Sequence, residues 1–293
     1  MTARLGLELL SDRAVAVAVD PTGRVIGRGQ VASKDLSAAA LAALDGAAAG
    51  ISAAPPAVVA AFDPESPSVQ AAMTALSRRM SAQAVSSGSA AAVAESWIGA
   101  ARDVRDLVFF AVGERTSAGI LRDGVPLVGA HRRAAAAAWL ALNPVEREDY
   151  RKMGCLEAEV AAAGIVRRLV WRIKAGDHSR VQEAVNGDLS AITAEHVLDA
   201  ARYGDGVAIA VVRDTAKYAG MAAANFVVVV DPAVLVLGGV IASAADVLLE
   251  LVRAEITRRV PAATLQQLRI VPAALGVDAP AIGAAKLAEP AVP

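Results

Sequence analysis

The chain has 293 residues, with 29 Lys and Arg against 30 Asp and Glu, so its formal net charge is −1. At 55% hydrophobic and 20% charged, it excludes a chain dominated by disorder, because enough apolar surface exists to build cores in two domains. Mean hydropathy is +0.45, but alanine carries much of it, and the longest apolar run, residues 222–242, is broken by Asn225 and Asp231-Pro232, so no membrane span is expected.

Three strands open the chain, at 5–10, 14–19 and 25–31, the second and third separated by the turn Asp20-Pro21-Thr22-Gly23. Asp35 or Ser37 caps an alanine-leucine helix to about residue 49. After Pro55-Pro56 come a buried strand at 57–62, a helix at 69–80, a strand at 82–85 and a helix at 90–100. A second β-start follows, with a strand at 107–112 and a hairpin of 118–121 and 126–128 around Asp123-Gly124. Residues 144–213 read as helical with breaks at Gly176, Gly187 and Gly204, and 215–229 as a further helix. A strand at 234–237 ends in Gly238-Gly239, and helix 242–258, strand 268–272 and helix 279–287 complete the chain before a loose tail, 288–293.

The repeated strand start with flanking helices predicts an α/β protein of two domains around a central cleft. The expected division is 1–110, with the helix 279–288 packing back on it, and 111–278. A single cysteine, Cys155, excludes an internal disulfide and a cysteine-cluster metal site. The N-terminus lacks the pattern of a secretory signal, so a cytoplasmic protein is expected. The near-neutral charge argues against a direct nucleic-acid surface. His131, His178 and His196 match no metal spacing.

The order of motifs resembles the ROK family (repressors, uncharacterised reading frames and sugar kinases). Gly154-Cys155-Leu156-Glu157 is similar to the family's Gly-Cys-Leu-Glu. The run Asp231-Pro232-Ala233-Val234-Leu235-Val236-Leu237-Gly238-Gly239 is similar to Asp-Pro-x-x-Val-Val-Leu-Gly-Gly, and Gly283-Ala284-Ala285 to the C-terminal Gly-Ala-Ala helix. The resemblance implies two ribonuclease-H-like domains of the actin-like ATPase type. In an active kinase it implies ATP-Mg as cofactor and a hexose as substrate; relatives are commonly dimers.

Departures from the pattern carry the functional reading. The Asp-x-Gly-Gly-Thr phosphate turn becomes Glu8-Leu9-Leu10-Ser11-Asp12, with side chains and a negative charge where the backbone should be bare. A like charge within about 4 Å of a phosphate costs on the order of 1–4 kcal/mol. The second glycine-rich turn becomes Gly113-Glu114-Arg115-Thr116-Ser117-Ala118-Gly119, where Arg115 reads as a solvated charge or, less simply, an anion contact. Ser87, within Ser86-Ser87-Gly88-Ser89, occupies the place of the catalytic aspartate, and a serine cannot accept a proton without an activating partner. The bland alternative for these serines is a helix-capping loop.

The sugar- and zinc-binding Gly-Glu-x-Gly-His becomes Ala135-Ala136-Ala137-Ala138-Trp139, and the cysteine cluster becomes residues 148–155 with one thiol, so no structural zinc is expected. Gly113, Gly238 and Gly239 are left as nucleotide-site remnants, and Glu157 as a sugar-site remnant. Gly238-Gly239 read more simply as close strand–helix packing, and Glu157 as an exposed first-turn helix residue.

The resemblance with its losses predicts an inactive sugar-kinase homologue, a pseudokinase, without cofactor or metal. Its role would be regulatory, sensing or protein-binding, as a homo-oligomer or with an unidentified protein partner. One alternative is an ATP-dependent sugar kinase with a rearranged site, using Glu8 for metal and Glu95 as base. The other is the sensor half of a transcriptional regulator lacking its DNA-binding domain.

Overall fold

The structure is a computed structural model and describes residues 3–54 and 58–288. Pro55-Pro56, the first residue of the strand expected at 57–62, and nearly all of the tail lie outside the described residues. The chain divides into two compact units: Met1–Phe109, Ala118–Ala135 and Ala273–Pro293 form the first, and Phe110–Ser117 and Ala136–Pro272 the second. Residues 118–135 thus group with the first unit rather than with the contiguous segment 111–278.

In the first unit β1 (Ala3–Leu9), β2 (Arg13–Val19) and β3 (Val25–Ala32) form an antiparallel meander. Next come α1 (Leu36–Ala47), the short β4 (Ala53–Ala54), β5 (Val58–Ala61), α2 (Pro67–Leu76), β6 (Gln83–Ser86) and α3 (Ser87–Trp97). The sheet runs β3-β2-β1-β5-β6 with β4 also on β1, and β1, β5 and β6 are mutually parallel in sequence along it. Alternation along β1 sorts its two faces. Leu5, Leu7 and Leu9 point into a core shared with Leu36, Leu44 and Leu76 of α1 and α2. Asp35 starts α1 as expected, accepting from the amides of Ser37 and Ala38 at 3.0 and 3.1 Å.

β7 (Leu107–Val112), β8 (Thr116–Arg122) and β9 (Val125–Pro126) follow. The β8–β9 turn is the expected Asp123-Gly124, both with positive φ (53° and 78°), as a two-residue hairpin with the sheet's twist requires.

The second unit is mostly helical: α4 (Glu148–Met153), α5 (Cys155–Val160), α6 (Ala162–Lys174), α7 (Val181–Ala184), α8 (Ala194–Arg202) and α9 (Gly206–Val230). Two differences from the sequence reading have local causes. The long helical region also breaks at Gly154, whose φ is +94°, and at Ala161. Nor is there an interruption near Arg213: α9 is one helix of 25 residues. Asp205, buried, starts it by accepting from the Ala208 amide at 2.8 Å, and the left-handed Asp231 before Pro232 ends it.

β10 (Val234–Gly239), α10 (Val240–Ser243), α11 (Ala245–Thr257), α12 (Ala262–Leu265) and β11 (Arg269–Pro272) complete this unit. β10 and β11 are parallel, in a sheet ordered β11-β10-β7-β8-β9. The chain then returns to the first unit, where α13 (Ala279–Leu287) packs on β1 and α3. Among the described residues no helix is long and apolar enough to cross a membrane.

Candidate functional site

In the first unit the expected base position lies where β6 runs into α3. The helix begins at Ser87, three residues before the expected start. Ser86 is its cap: Ser86 Oγ accepts from the Ser89 amide at 3.2 Å and donates to Ser89 Oγ at 2.8 Å. The capping reading therefore holds for Ser86, while Ser87 occupies the first helical position and is buried.

The start of α3 is fixed by a close backbone approach to β8. A Cβ on Gly88 would lie 2.1 Å from the Ala118 carbonyl oxygen, and one on Gly119 would lie 2.1 Å from the Gly88 carbonyl oxygen. These two glycines are required by each other. They leave the Ser87 backbone little room to shift.

Ser87 Oγ is buried and lacks a hydrogen bond of good geometry. It does face Glu8, on the opposite side of β1 from the Leu5–Leu9 core, closely enough to favour the ionised carboxyl. Burial dominates, however, and pushes the Glu8 carboxyl from an ordinary 4.5 up to about 7. Ser87 and Arg13 pull it down, and Asp278 pushes it further up. Glu8 is 6% exposed.

The β1–β2 turn is closed by the Leu10 amide donating to the Arg13 carbonyl at 2.9 Å, with Arg13 Nη1 paired to Asp12 at 2.8 Å. Ser11 and Asp12 are exposed. This turn presents a carboxylate rather than bare amides, so its donor set does not fit a nucleotide phosphate in the manner of the Asp-x-Gly-Gly-Thr turn.

Glu95, the base named in the kinase alternative, is committed to backbone hydrogen bonds. Its carboxylate is fully buried and accepts from the amides of Ala100 (2.7 Å), Ala274 (3.0 Å) and Leu275 (3.0 Å). It ties the end of α3 to the segment leading into α13.

A small pocket of about 10 Å³, partly open to solvent, lies between the start of α3 and residues 127–134. Val85, Ser86, Ser89, Leu127, Val128 and Arg132 line it; Ser87 does not. Arg132, in a left-handed conformation (φ 57°), crosses to donate to the Ala84 carbonyl at 2.7 Å. The pocket has about the space of one water molecule, far below the range of about 300–1,000 Å³ that holds most small ligands.

In the second unit Glu157 overturns the exposed reading. It is 3% exposed and accepts from the Thr116 amide (3.0 Å) and hydroxyl (3.1 Å), and Arg115 Nε pairs with its other oxygen. The sequence alone reads Arg115 as a solvated charge or anion contact and Glu157 as a sugar-site remnant or exposed helix residue; the fold joins them across the β7–β8 turn. Gly113 is not demanded by packing, since the nearest atom to a Cβ there would be 3.7 Å away. Gly239 is demanded: its φ is +62°, and a Cβ would lie 2.0 Å from the Val112 carbonyl oxygen. The packing reading of Gly239 therefore has a direct steric basis. Gly238 is buried beside it at the end of β10.

The positions where the resemblance implies zinc do not fit that metal. Glu148 is exposed and bonded to Lys152 at 2.6 Å. The Tyr150 hydroxyl donates to Glu159, and Cys155 sits in an apolar cluster with Tyr150, Ala158 and Leu142. Trp139 carries no ligand atom for zinc. Among the described residues no group of three His, Cys, Asp or Glu side chains is placed to hold a metal. Glu159 and Tyr150 form a buried hydrogen-bonded pair that sequence reasoning missed; the signal was two glutamates, at 157 and 159, inside an otherwise apolar helical stretch.

Two mixed sheets with flanking helices, in this order, define an α/β protein of the actin-like ATPase fold. The ROK family model matches residues 76–291, and the chain belongs to that family. It is similar to a ROK family glucokinase from Streptomyces griseus solved with glucose and AMPPNP, with a TM-score of 0.84 at 22% identity over 97% of this chain and 98% of that one. In sequence it is 31% identical over 163 residues to a glucokinase of Halalkalibacterium halodurans, covering 55% of this chain and 49% of that one. It is 30% identical over 159 residues to the DNA-binding transcriptional dual regulator NagC of Escherichia coli, covering 54% of this chain and 38% of that one. The matches thus span about half the length, or less, of these curated relatives.

Proposed function

We propose that this chain is a ROK-family module that does not transfer phosphate, and that it acts as a regulatory, sensing or protein-binding homologue of the sugar kinases. The observation that carries the reading is Ser87. It is matched by the resemblance to the place of the proton-accepting aspartate and is buried, with the desolvated Glu8 carboxyl facing it. Attack of a sugar hydroxyl on a phosphoryl group needs an acceptor that is ionised and within reach of that hydroxyl. Ser87 is not ionised at neutral pH. Glu8 is buried, and Glu95 accepts from three backbone amides.

The phosphate turns support the same reading. Asp12 stands on one, and on the other Arg115 is held by Glu157 rather than offered to an anion. The similarity to NagC as well as to glucokinases makes a role without catalysis compatible with family membership. On this reading the chain uses no ATP-Mg or metal, and it works through a protein partner or a second copy of itself.

Titration of the full chain with ATP and magnesium by calorimetry, with and without D-glucose, tests the nucleotide half of this reading. No saturable heat is expected up to about 1 mM, the concentration that corresponds to roughly −4 kcal/mol of binding. A stoichiometric, magnesium-dependent isotherm tighter than that would overturn it.

A further inference from the structure

The segment where the resemblance implies a metal is instead crossed by a dense set of side-chain hydrogen bonds. Asn143 Nδ2 donates to the Tyr150 hydroxyl at 3.0 Å and to the Tyr218 hydroxyl at 3.3 Å. The Tyr150 hydroxyl passes its own proton to a hydrogen bond with Glu159. Glu159, 4% exposed, also receives Arg147 Nη1 at 3.3 Å and Arg168 Nη2 at 2.7 Å. Arg168 reaches on to Thr215 Oγ1 at 3.2 Å, in α9. Burial and the Glu159 hydrogen bond push the Tyr150 phenol up to about 12, so it stays a donor across the physiological range.

We infer that this Tyr150–Glu159–Arg168 network replaces a structural metal: it cross-links the segment before α4 to α5, α6 and α9 and makes this unit fold without zinc. A tetrahedral zinc does its structural work by tying distant ligands to one centre. Glu159 does the same here with three donors from two separate segments, Arg147 and Tyr150 at the start of α4 and Arg168 in α6. The arrangement satisfies the requirement that a buried carboxylate be paired and hydrogen-bonded. Tyr150 supplies apolar bulk as well, packing on the lone Cys155.

Thermal melting of the purified chain, together with its zinc content by atomic absorption, tests the inference. Expected results are less than about 0.1 zinc per chain, a melting temperature unmoved by EDTA, and a drop of about 3–8 °C in Tyr150→Phe. Cys155→Ala, which removes the one thiol but leaves the network, is expected to shift melting less than Tyr150→Phe does. Asn143→Asp keeps the question open to measurement if Tyr150→Phe does not fold, because it removes the amide donor shared by the two phenols and keeps the oxygen that accepts from the Val145 amide; a fall in melting supports the network, and Asn143→Ala is read beside it. Stoichiometric zinc, a chelator-sensitive melting point, or Tyr150→Phe or Asn143→Asp melting with wild type would each overturn it.

Discussion

Replacing Glu95 with alanine is expected to destabilise the chain by about 3 kcal/mol, because three backbone amides lose their acceptor and a fully buried side chain leaves a void. The effect is large because the carboxylate joins pieces far apart in sequence. Its partners at Ala100 close the loop after α3, and those at Ala274 and Leu275 fix the entry to α13, which itself packs on β1 and α3. Glutamine keeps one acceptor oxygen but presents an amide donor to an amide, so Glu95→Gln should lose roughly half to all of the same amount. Urea denaturation measures both. An alanine variant within about 0.5 kcal/mol of wild type would remove the structural role assigned to Glu95.

Glu8 gives the second large effect, and its sign follows from the direction of its shift. Its folded-state pKa is raised from 4.5 to about 7. The folded state therefore binds the proton more tightly than the unfolded state does. That contribution to stability is fully present below about pH 4.5 and is lost as pH rises through 7. The difference between the two limits is on the order of 3 kcal/mol. Glu8→Gln, neutral at every pH, should match wild type in that one respect at pH 4.5 and exceed it progressively toward pH 8. The difference between the two unfolding free energies, measured across pH 4.5 to 8, cancels the titration of every other group. Parallel profiles would show that Glu8 is not desolvated as described.

Much of the architecture was legible because it follows from local chemistry. Alternating leucines on β1, the Asp35 cap and the Asp123-Gly124 turn each dictate one conformation from a few adjacent residues. The family motifs then placed these elements in the actin-like order. The candidate site was legible only in what it lacks. Ser87 could be placed by counting, but its burial against Glu8 depends on the mutual approach of Gly88 and Gly119, which no local pattern encodes.

Glu157 and Glu159 show the same limit more sharply. Two residues apart on a short helix, both are buried, although Glu157 reads as an exposed helix residue and Glu159 draws no reading at all. One is bonded to the β7–β8 turn 41 positions earlier, and the other to arginines and a tyrosine on both sides. Charge pairing across such separations is set by tertiary packing, and a single sequence carries no periodic signal for it. Residue 213 illustrates the opposite error. Arg213 and Asp214 looked like an interruption, but they sit on the exposed side of α9, and a helix that packs along one face tolerates charges on the other.

The central claim is tested most directly by following transfer of the ATP γ-phosphate to D-glucose and to a panel of other hexoses, using the full chain with magnesium. With Ser87 in the base position, product formation is expected to equal the no-protein control, far below the roughly 1–100 turnovers per second of working kinases. Sugar phosphate that accumulates with protein concentration, and that Ser87→Ala abolishes, would contradict it.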